Sequence, residues 1–241
     1  MLQKVIGHAR RAIEDYNMID EGDKIAVGLS GGKDSLTLLH TLYYLRKFYP
    51  KKFEIMAITI HPGSTTFNTE KLEELCKNLG IEYIVYKSDI AKVVFEIRKE
   101  KNPCSLCANM RRGMLNSIAI ENGCNKIALG HTLDDLNETL LMSILLNGKI
   151  HTFSPVTYLS RSDVKVIRPL IYVSEKETRA VAKLKNFPVI GKCCPADGFT
   201  KRQYVKNLIK DIQKEIPKVN AHIFGAIKRS DIQGWKQEND N

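Results

Sequence analysis

The chain has 241 residues, of which 43% are hydrophobic and 27% charged, and this composition excludes a disordered or fibrous protein. No stretch approaches the roughly 18 consecutive apolar residues of a membrane-spanning helix, and the first residues lack the apolar core of a signal peptide, so we expect a cytoplasmic protein without a membrane partner. The formal charge of +10 favours a polyanionic partner such as nucleic acid, with a generally basic surface as the alternative.

Short apolar runs alternate with helical patterns along most of the chain. An amphipathic helix is predicted over Val5–Met18. Buried strands are predicted at Lys24–Leu29, Glu54–Ile60, Glu82–Tyr86 and Lys126–Gly130. Helices are predicted at Ser35–Phe48, Thr69–Leu79, Cys104–Asn122 and Leu133–Leu146. This alternation predicts an α/β fold, a parallel sheet with helices on both faces.

The last third of the chain changes character. An irregular stretch with glycine and proline leads to the apolar run Lys165–Leu170, and helical patterns follow at Ser174–Lys185 and Lys201–Glu215. We predict a sheet domain over residues 1–172, with helix 1–19 leading in, and a small helical C-terminal subregion over 173–241. No linker-like stretch separates the two parts.

A glycine-containing motif, Ser30-Gly31-Gly32-Lys33-Asp34-Ser35, lies where the first predicted strand ends and a helix begins. The glycines let backbone N–H groups approach phosphate oxygens, and the helix N-terminus adds partial positive charge. The loop lacks the spacing of the Walker A motif. It resembles the SGGxDS loop of PP-loop ATP pyrophosphatases, which implies ATP binding by all six residues and cleavage between the α and β phosphates. The alternative is a turn without a ligand.

The cysteines form a second candidate site. Cys104 and Cys107 form a Cys-x-x-Cys pair at the start of a predicted helix, and Cys193 or Cys194 offers a third thiol. Zinc, an iron-sulfur cluster, a redox dithiol and coincidence are the open interpretations. Three thiolates suit a 4Fe-4S cluster with one iron open to an exogenous ligand such as hydrosulfide, whereas zinc needs a histidine as fourth ligand.

Five ordered motifs cover nearly the whole chain. They are SGGKDS, PCSLC-x-x-x-RRG, GHTLDDLNET from Gly130, IRPL from Ile167, and the segment from Phe187-Pro188 to Cys194. Together they resemble the tRNA 2-thiocytidine synthetase family, which is related to the tRNA 2-thiouridine synthetases. The resemblance implies that ATP adenylates the C2 oxygen of an anticodon-loop cytidine, and that sulfur delivered by a 4Fe-4S cluster then replaces this oxygen.

The resemblance also implies roles for single residues. Cys104, Cys107 and Cys194 match the cluster ligands, with Cys193 as the competitor for Cys194. Lys33, Arg111 and Asp135 are the expected catalytic residues. Gly130 and His131 join the phosphate loop in binding ATP, and Asp135, with Asp134 as its competitor, is expected to bind Mg²⁺. For Asp135 and Arg111 the alternative is a surface salt bridge or a helix cap.

The chain has no cysteine pairs at its ends of the kind that thiouridine synthetases commonly carry, so it stands closer to the thiocytidine branch. It is shorter than typical members of the family and the flank of Cys193-Cys194 is unusual, and these departures leave the exact substrate open. The alternatives are therefore sulfur transfer to another tRNA uridine or to a small molecule, and a sensor without turnover. The implied partners are tRNA, ATP and a sulfur donor, either sulfide or a cysteine desulfurase system, with a homodimer possible by analogy. Basic candidates for tRNA contacts are Arg10, Arg11, Lys149, Arg161, Lys201, Arg202 and Lys228.

Overall fold

The computed structural model describes residues 1–63, 67–98, 103–191 and 200–235, and of Cys104 it describes the backbone. Within these ranges, six strands form one sheet. The strands are β1 (Asp23–Gly28), β2 (Phe53–His61), β3 (Glu82–Lys87), β4 (Lys126–Ala128), β5 (Val156–Leu159) and β6 (Val164–Ile167). The α-helices are α1 (Leu2–Asp15), α2 (Lys33–Leu45), α3 (Glu70–Leu79), α4 (Pro103–Glu121), α5 (Leu133–Asn147), α6 (Glu175–Leu184), α7 (Lys201–Glu215) and α8 (Val219–Arg229).

The order of strands in the sheet is β3-β2-β1-β4-β6-β5. Neighbouring strands are parallel except for the pair of β5 and β6. The chain therefore moves to one side of β1 to build β2 and β3, then crosses to the other side for β4. In such sheets the connections after the two central strands diverge and open a crevice at their carboxyl ends. Here that crevice lies beyond Gly28 and Ala128.

Apolar side chains that point alternately to the two faces of the sheet form a core on each face. In β1, Ile25 and Val27 belong to a core shared with α1, α2 and α6, whereas Ala26 belongs to a second core on the other face. That second core also includes Leu115 and Ile118 of α4. Because successive strand residues point to opposite faces, a run apolar at every position is expected for a sheet covered on both sides.

The predicted fold class is confirmed: the sheet is mostly parallel and is covered by helices, and the C-terminal region is helical. Three elements were not predicted, namely a π-helical turn at Lys92–Ile97, the edge strand β5 and the last helix α8. β5 pairs with β6 through a tight turn in which Asp163 has φ +50°. A strand as short as β5 has too few residues for an alternation of apolar and polar side chains to be recognised in the sequence.

The C-terminal helices pack at two different places. α6 lies against α2, whereas α7 and α8 lie against α5. The domain boundary at residue 172 stays a prediction. Among the described residues, no helix is both long and apolar enough to cross a membrane.

Candidate active site

The phosphate loop connects β1 to α2, and hydrogen bonds of its own serine residues stabilise its conformation. Ser35 Oγ accepts hydrogen bonds from the backbone N–H and the hydroxyl of Ser30, at 3.2 and 3.1 Å, and donates to the Gly32 carbonyl at 2.9 Å. Gly32 is the N-cap of α2, and as a glycine it has no side chain that could cap the helix. The first backbone N–H groups of a helix lack intrahelical partners. The loop therefore presents N–H donors and a helix N-terminus to an anion.

Two glycines let other segments approach this loop closely. Gly31 has φ +78°, and a Cβ there would lie 2.6 Å from Cδ1 of Ile190, whose N–H donates to the Gly31 carbonyl at 2.9 Å. A Cβ on Gly130 would lie 3.0 Å from backbone atoms of Asp34 and Ser35. The segment that follows β4 therefore touches the first turn of α2, which places Gly130 next to the phosphate loop.

Lys33 lies between two carboxylates. Its Nζ is 2.9 Å from Oδ2 of Asp34 and 3.0 Å from Oε1 of Glu175. Burial alone lowers the pKa of Lys33, but the two carboxylates outweigh burial and the net pKa is raised. Asp34 also accepts a short hydrogen bond from the Thr178 hydroxyl. The first turn of α6 thus holds both charged residues of the phosphate loop.

Glu175 is the centre of a charged network that sequence reasoning missed. Its Oε2 lies 2.5 Å from Nζ of Lys206, and its Oε1 also contacts Arg179 at 3.1 Å. Burial raises the pKa of Glu175, but Lys206 and Lys33 outweigh burial and lower the pKa to about 2. Glu175 is therefore ionised at any physiological pH. Its backbone N–H donates to Asp134 at 2.6 Å, which links α5 to the same network.

Asp135 takes part in the N-terminal cap of α5. Its Oδ2 accepts from the backbone N–H and hydroxyl of Thr132, both at 2.9 Å, and so completes a capping box. Its Oδ1 faces Arg202 of α7 at 3.4 Å. The neighbouring Glu138 is buried, 3.4 Å from Arg202 and 4.0 Å from Lys206. The start of α7 is thereby tied to the acidic face of α5.

A cavity of about 250 Å³ opens beside the phosphate loop. One wall is the end of β1 with Ser30, and the opposite wall is the second and third turns of α4, which contribute Ala108, Arg111 and Arg112. The remaining lining is mostly apolar: Gly28, Leu29, Ile58, Ile60, Leu115, Leu129 and His131. An apolar cleft with a few polar groups at the switch point of an α/β sheet suits a nucleotide.

His131 is a neutral side chain at the edge of this cavity. Burial lowers its pKa to about 4, since nearby arginines add to the effect of burial while Asp135 opposes it. The ring stacks on Phe153 at 4.8 Å, and within the described structure its buried Nδ1 has no hydrogen-bond partner. The neutral imidazole can accept or donate a hydrogen bond to a ligand.

The Cys-x-x-Cys pair lies on α4, which begins at Pro103. Arg111, one turn beyond Cys107 on the same helix, lines the cavity. Cys107 is half-buried and packs against the core shared with β2. Cys193 and Cys194 lie outside the described residues. Cys76 and Cys124 are buried as predicted, and burial raises the pKa of Cys76 to about 12.

Comparison with known proteins shows the family to which this chain belongs. A family model described as a PP-loop domain matches residues 3–211. A tRNA-cytidine(32) 2-sulfurtransferase of Geotalea uraniireducens is 39% identical over 230 residues, which are 94% of this chain and 91% of that protein. The enzyme of the same name from Pseudomonas fluorescens is 40% identical over 222 residues, 91% of this chain and 81% of that protein. The chain belongs to the PP-loop family and, within it, to the tRNA-cytidine 2-sulfurtransferases.

A solved structure also resembles this PP-loop protein. The U34-tRNA thiolase NcsA from Methanococcus maripaludis, determined with its 4Fe-4S cluster, has a TM-score of 0.74 and 26% sequence identity, and the match covers 91% of this chain and 76% of that one. The family resemblance stated from the sequence motifs is thereby confirmed.

The PP-loop structure brings most of the sequence-predicted residues to one place. The loop from Ser30 to Ser35, Gly130, His131 and Arg111 meet at the carboxyl edge of the sheet. Asp134 and Asp135 lie at the start of α5, where one contacts α6 and the other α7. Glu175 and Thr178 had no recognisable signal, because the Ser174-x-x-Glu177 capping box marks only a helix start, and their contacts with Lys33 and Asp34 are remote in sequence.

Proposed function

We propose that this protein is an ATP-dependent tRNA sulfurtransferase that replaces the C2 oxygen of an anticodon-loop cytidine with sulfur. The observation that carries the proposal is that the phosphate loop and α4, the helix that includes Cys104 and Cys107, line the same cavity. Proteins named for cytidine 32 of tRNA match this chain over at least nine-tenths of its length, which supports cytidine as the target.

The first step activates the base. The loop N–H groups and Lys33 bind the β and γ phosphates of ATP, while the apolar walls of the cavity hold adenosine. The C2 oxygen of the base attacks the α phosphorus, the bond between the α phosphorus and the bridging oxygen breaks, and pyrophosphate leaves. The described residues contain no group of three or more side chains that could hold a metal ion, so Mg²⁺ would be held by Asp135 and Asp134 together with the phosphates of ATP. Arg111 stabilises charge that develops on the base.

The second step exchanges the atoms. A sulfide sulfur attacks C2, the bond from C2 to the oxygen breaks, and AMP leaves with that oxygen. No electrons are transferred overall, because sulfur enters as sulfide. Cys104, Cys107 and Cys194, or Cys193 in its place, would hold a 4Fe-4S cluster, which when bound supplies an open iron for the sulfide. The related thiolase NcsA carries such a cluster.

The described residues fit this cluster. Cys107 is half-buried on α4, one turn before Arg111, which lines the cavity. Ile190, four residues before Cys194 in the sequence, is fixed to Gly31 by its N–H and its side chain. The alternative is a zinc site completed by a histidine. Metal analysis of anaerobically purified protein distinguishes zinc from an iron-sulfur cluster.

Sulfide or a cysteine desulfurase system is the proposed sulfur donor, and a homodimer and a cytoplasmic location are carried over from the family. A second candidate substrate is a tRNA uridine, because the structural relative NcsA is a U34 thiolase. Both substrates present a C2 oxygen to the same chemistry.

Mass spectrometry of nucleosides tests the proposal. Cluster-reconstituted protein is incubated anaerobically with unmodified tRNA, ATP, Mg²⁺ and sulfide, and the tRNA is digested. We expect 2-thiocytidine. A 2-thiouridine product would transfer the proposal to the second substrate, and unchanged tRNA under conditions in which a cluster is present and ATP binds would refute both.

A further inference from the structure

Arg168, in the motif Ile167-Arg168-Pro169-Leu170, has no part in the mechanism above. It follows the last residue of β6 and is 9% exposed. Its Nη1 donates to the Ser154 carbonyl at 2.6 Å and to the Thr157 hydroxyl at 2.9 Å, and its Cζ lies 5.1 Å from the ring centre of Phe153. These partners are neutral, and Nε is buried without any partner in the described structure.

A second arginine faces the same region, because Phe153 contacts both Arg168 and the ring of His131. Arg112 lines the cavity that Ser30 and His131 also line. Its charge adds to burial in lowering the pKa of both Arg168, to about 10, and His131, to about 4. In the ranges that the structure describes, neither Arg112 nor Arg168 forms an ion pair, whereas Arg202 nearby is paired with Asp135 and Glu138.

Neither arginine has a carboxylate partner among the described residues, but the two differ in exposure. Arg168 is buried, and a buried charge that lacks a counter-charge loses hydration without compensation, whereas Arg112 is exposed at the cavity. The neutral His131 supplies no compensating charge. The arrangement is stabilised when an anion binds at the cavity, and guanidinium groups are matched to phosphate oxygens.

We propose that Arg112 and Arg168 form a binding site for the α-phosphate of ATP and of the adenylated base, with Arg112 in contact and Arg168 as a positioning residue behind His131. The inference rests on the proposed function and assigns one phosphate of its substrate. The phosphate loop takes the two terminal phosphates and the cavity takes adenosine, so the α-phosphate lies between them. Ser30, Arg112 and His131 line that common space.

The site contributes to both steps of the reaction. Negative charge builds on the α-phosphate oxygens when the C2 oxygen attacks, and again when AMP departs with the C2 oxygen. Donors fixed at the place where charge develops lower the barrier, and removal of one such donor in other enzymes costs roughly a hundredfold in rate. The same donors bind the product AMP.

The test compares charge-removing and charge-keeping substitutions at both positions. We measure AMP affinity by titration, tRNA affinity, and tRNA-dependent AMP formation for R112Q, R112K, R168M and R168K. R46Q removes an arginine charge at the far end of α2, where Arg46 contacts Tyr43, and serves as the control. Thermal unfolding of each variant separates loss of folding from loss of function, which matters for Arg168 because it holds β5.

For R112Q we expect AMP formation to fall roughly a hundredfold and AMP affinity about tenfold, with tRNA affinity and unfolding temperature unchanged. R112K and R168K retain more activity than R112Q and R168M. A loss of tRNA affinity with unchanged AMP affinity would assign the arginines to a tRNA phosphate and overturn the inference, as would unchanged kinetics in R112Q. Because AMP affinity is measured without tRNA, it tests the site even if the wild type forms no thiolated product.

Discussion

Lys33 is positioned before any nucleotide arrives. Its ammonium group is fixed by Asp34 and Glu175, and Glu175 is in turn fixed by Lys206 and by its place in the first turn of α6. A lysine side chain has four rotatable bonds, and ordering it costs free energy that must otherwise come from substrate binding. The carboxylate of Glu175 therefore prepares the phosphate site, although it is far from the loop in sequence.

Replacement of Glu175 tests this role. E175Q keeps the shape of the side chain but removes the charge that attracts Lys33, so we expect ATP-dependent pyrophosphate release to fall roughly tenfold, the equivalent of about 1.4 kcal/mol. R179Q is the matched control, because Arg179 touches the same carboxylate from the exposed side. Equal rates for E175Q and the wild type would show that Asp34 alone positions the lysine.

Glu138 predicts a pH dependence of stability. Burial, with Asp135 as the next cause, raises its pKa from 4.5 to about 7, while Lys206 and Arg202 oppose the rise and Asp134 adds to it. The folded state then binds more protons than the unfolded state between about pH 4.5 and 7, so stability present at low pH is lost as the pH rises through this range. The loss is at most about 3 kcal/mol.

Urea unfolding at pH 5 and pH 8 measures this loss. The glutamine of E138Q does not titrate, so we expect the stability of the wild type relative to E138Q to decrease between the two pH values. Parallel pH profiles for the two proteins would contradict the account of Glu138.

At the scale of elements, the carboxyl ends of the central strands form the site, and their amino ends contribute to stability. The carboxyl ends of β1 and β4 lead to the phosphate loop and to Gly130. At the opposite ends, Lys126 at the start of β4 is 1% exposed and lies 2.6 Å from Asp23, at the start of β1, and 2.8 Å from Asp20. This buried ion pair joins the two central strands at the edge that is remote from the site.

Substitution of Lys126 is expected to affect stability and not catalysis. K126M leaves Asp23 buried without its counter-charge, and loss of one partner of a buried pair costs about 3–5 kcal/mol. Chemical denaturation of K126M and of the double variant K126M/D23N tests this, because the second substitution removes the stranded charge and should recover part of the loss. K24M is the control, because the half-buried Lys24 is also in β1 and its Nζ lies 3.9 Å from Oε2 of Glu82. Removal of this more exposed pair should lower the free energy of unfolding by less than about 1 kcal/mol. An ATP affinity lowered in folded K126M would contradict the division between the two edges.

The elements most accessible to sequence reasoning are those with strong local signals. The phosphate loop was placed correctly between β1 and α2, because a buried strand, two glycines and a helix start coincide there. β5 and α8 were missed, since a four-residue edge strand and a helix that begins after Pro217 carry little periodicity. Glu175, Glu138 and Arg168 gain their importance from contacts with other elements, which no local pattern contains. The assignment of Cys194 stays a prediction.

At the scale of the whole molecule, charge is distributed between the site and the surface. The net charge of +10 suits a tRNA partner. Of the basic residues predicted to face tRNA, four are paired with carboxylates: Arg10 with Glu14, Arg11 and Lys228 with Asp15, and Arg202 with Asp135. Arg202 therefore contributes to the catalytic region, and the tRNA contacts are expected from the other candidates.

The central claim is that the phosphate loop and the thiolates serve one reaction in one cavity. It predicts that 2-thiocytidine, AMP and pyrophosphate form in equal amounts, and that the two halves of the site fail differently. K33M loses all three products, because the base is never activated. C107S forms pyrophosphate in a tRNA-dependent manner but yields no 2-thiocytidine, since the base is adenylated without sulfur to replace the adenylate.

The most direct measurement is therefore a parallel count of pyrophosphate and 2-thiocytidine per tRNA in the wild type, K33M and C107S. We expect a ratio of one in the wild type, neither product in K33M, and pyrophosphate alone in C107S. Formation of 2-thiocytidine in K33M or in C107S would contradict the central claim.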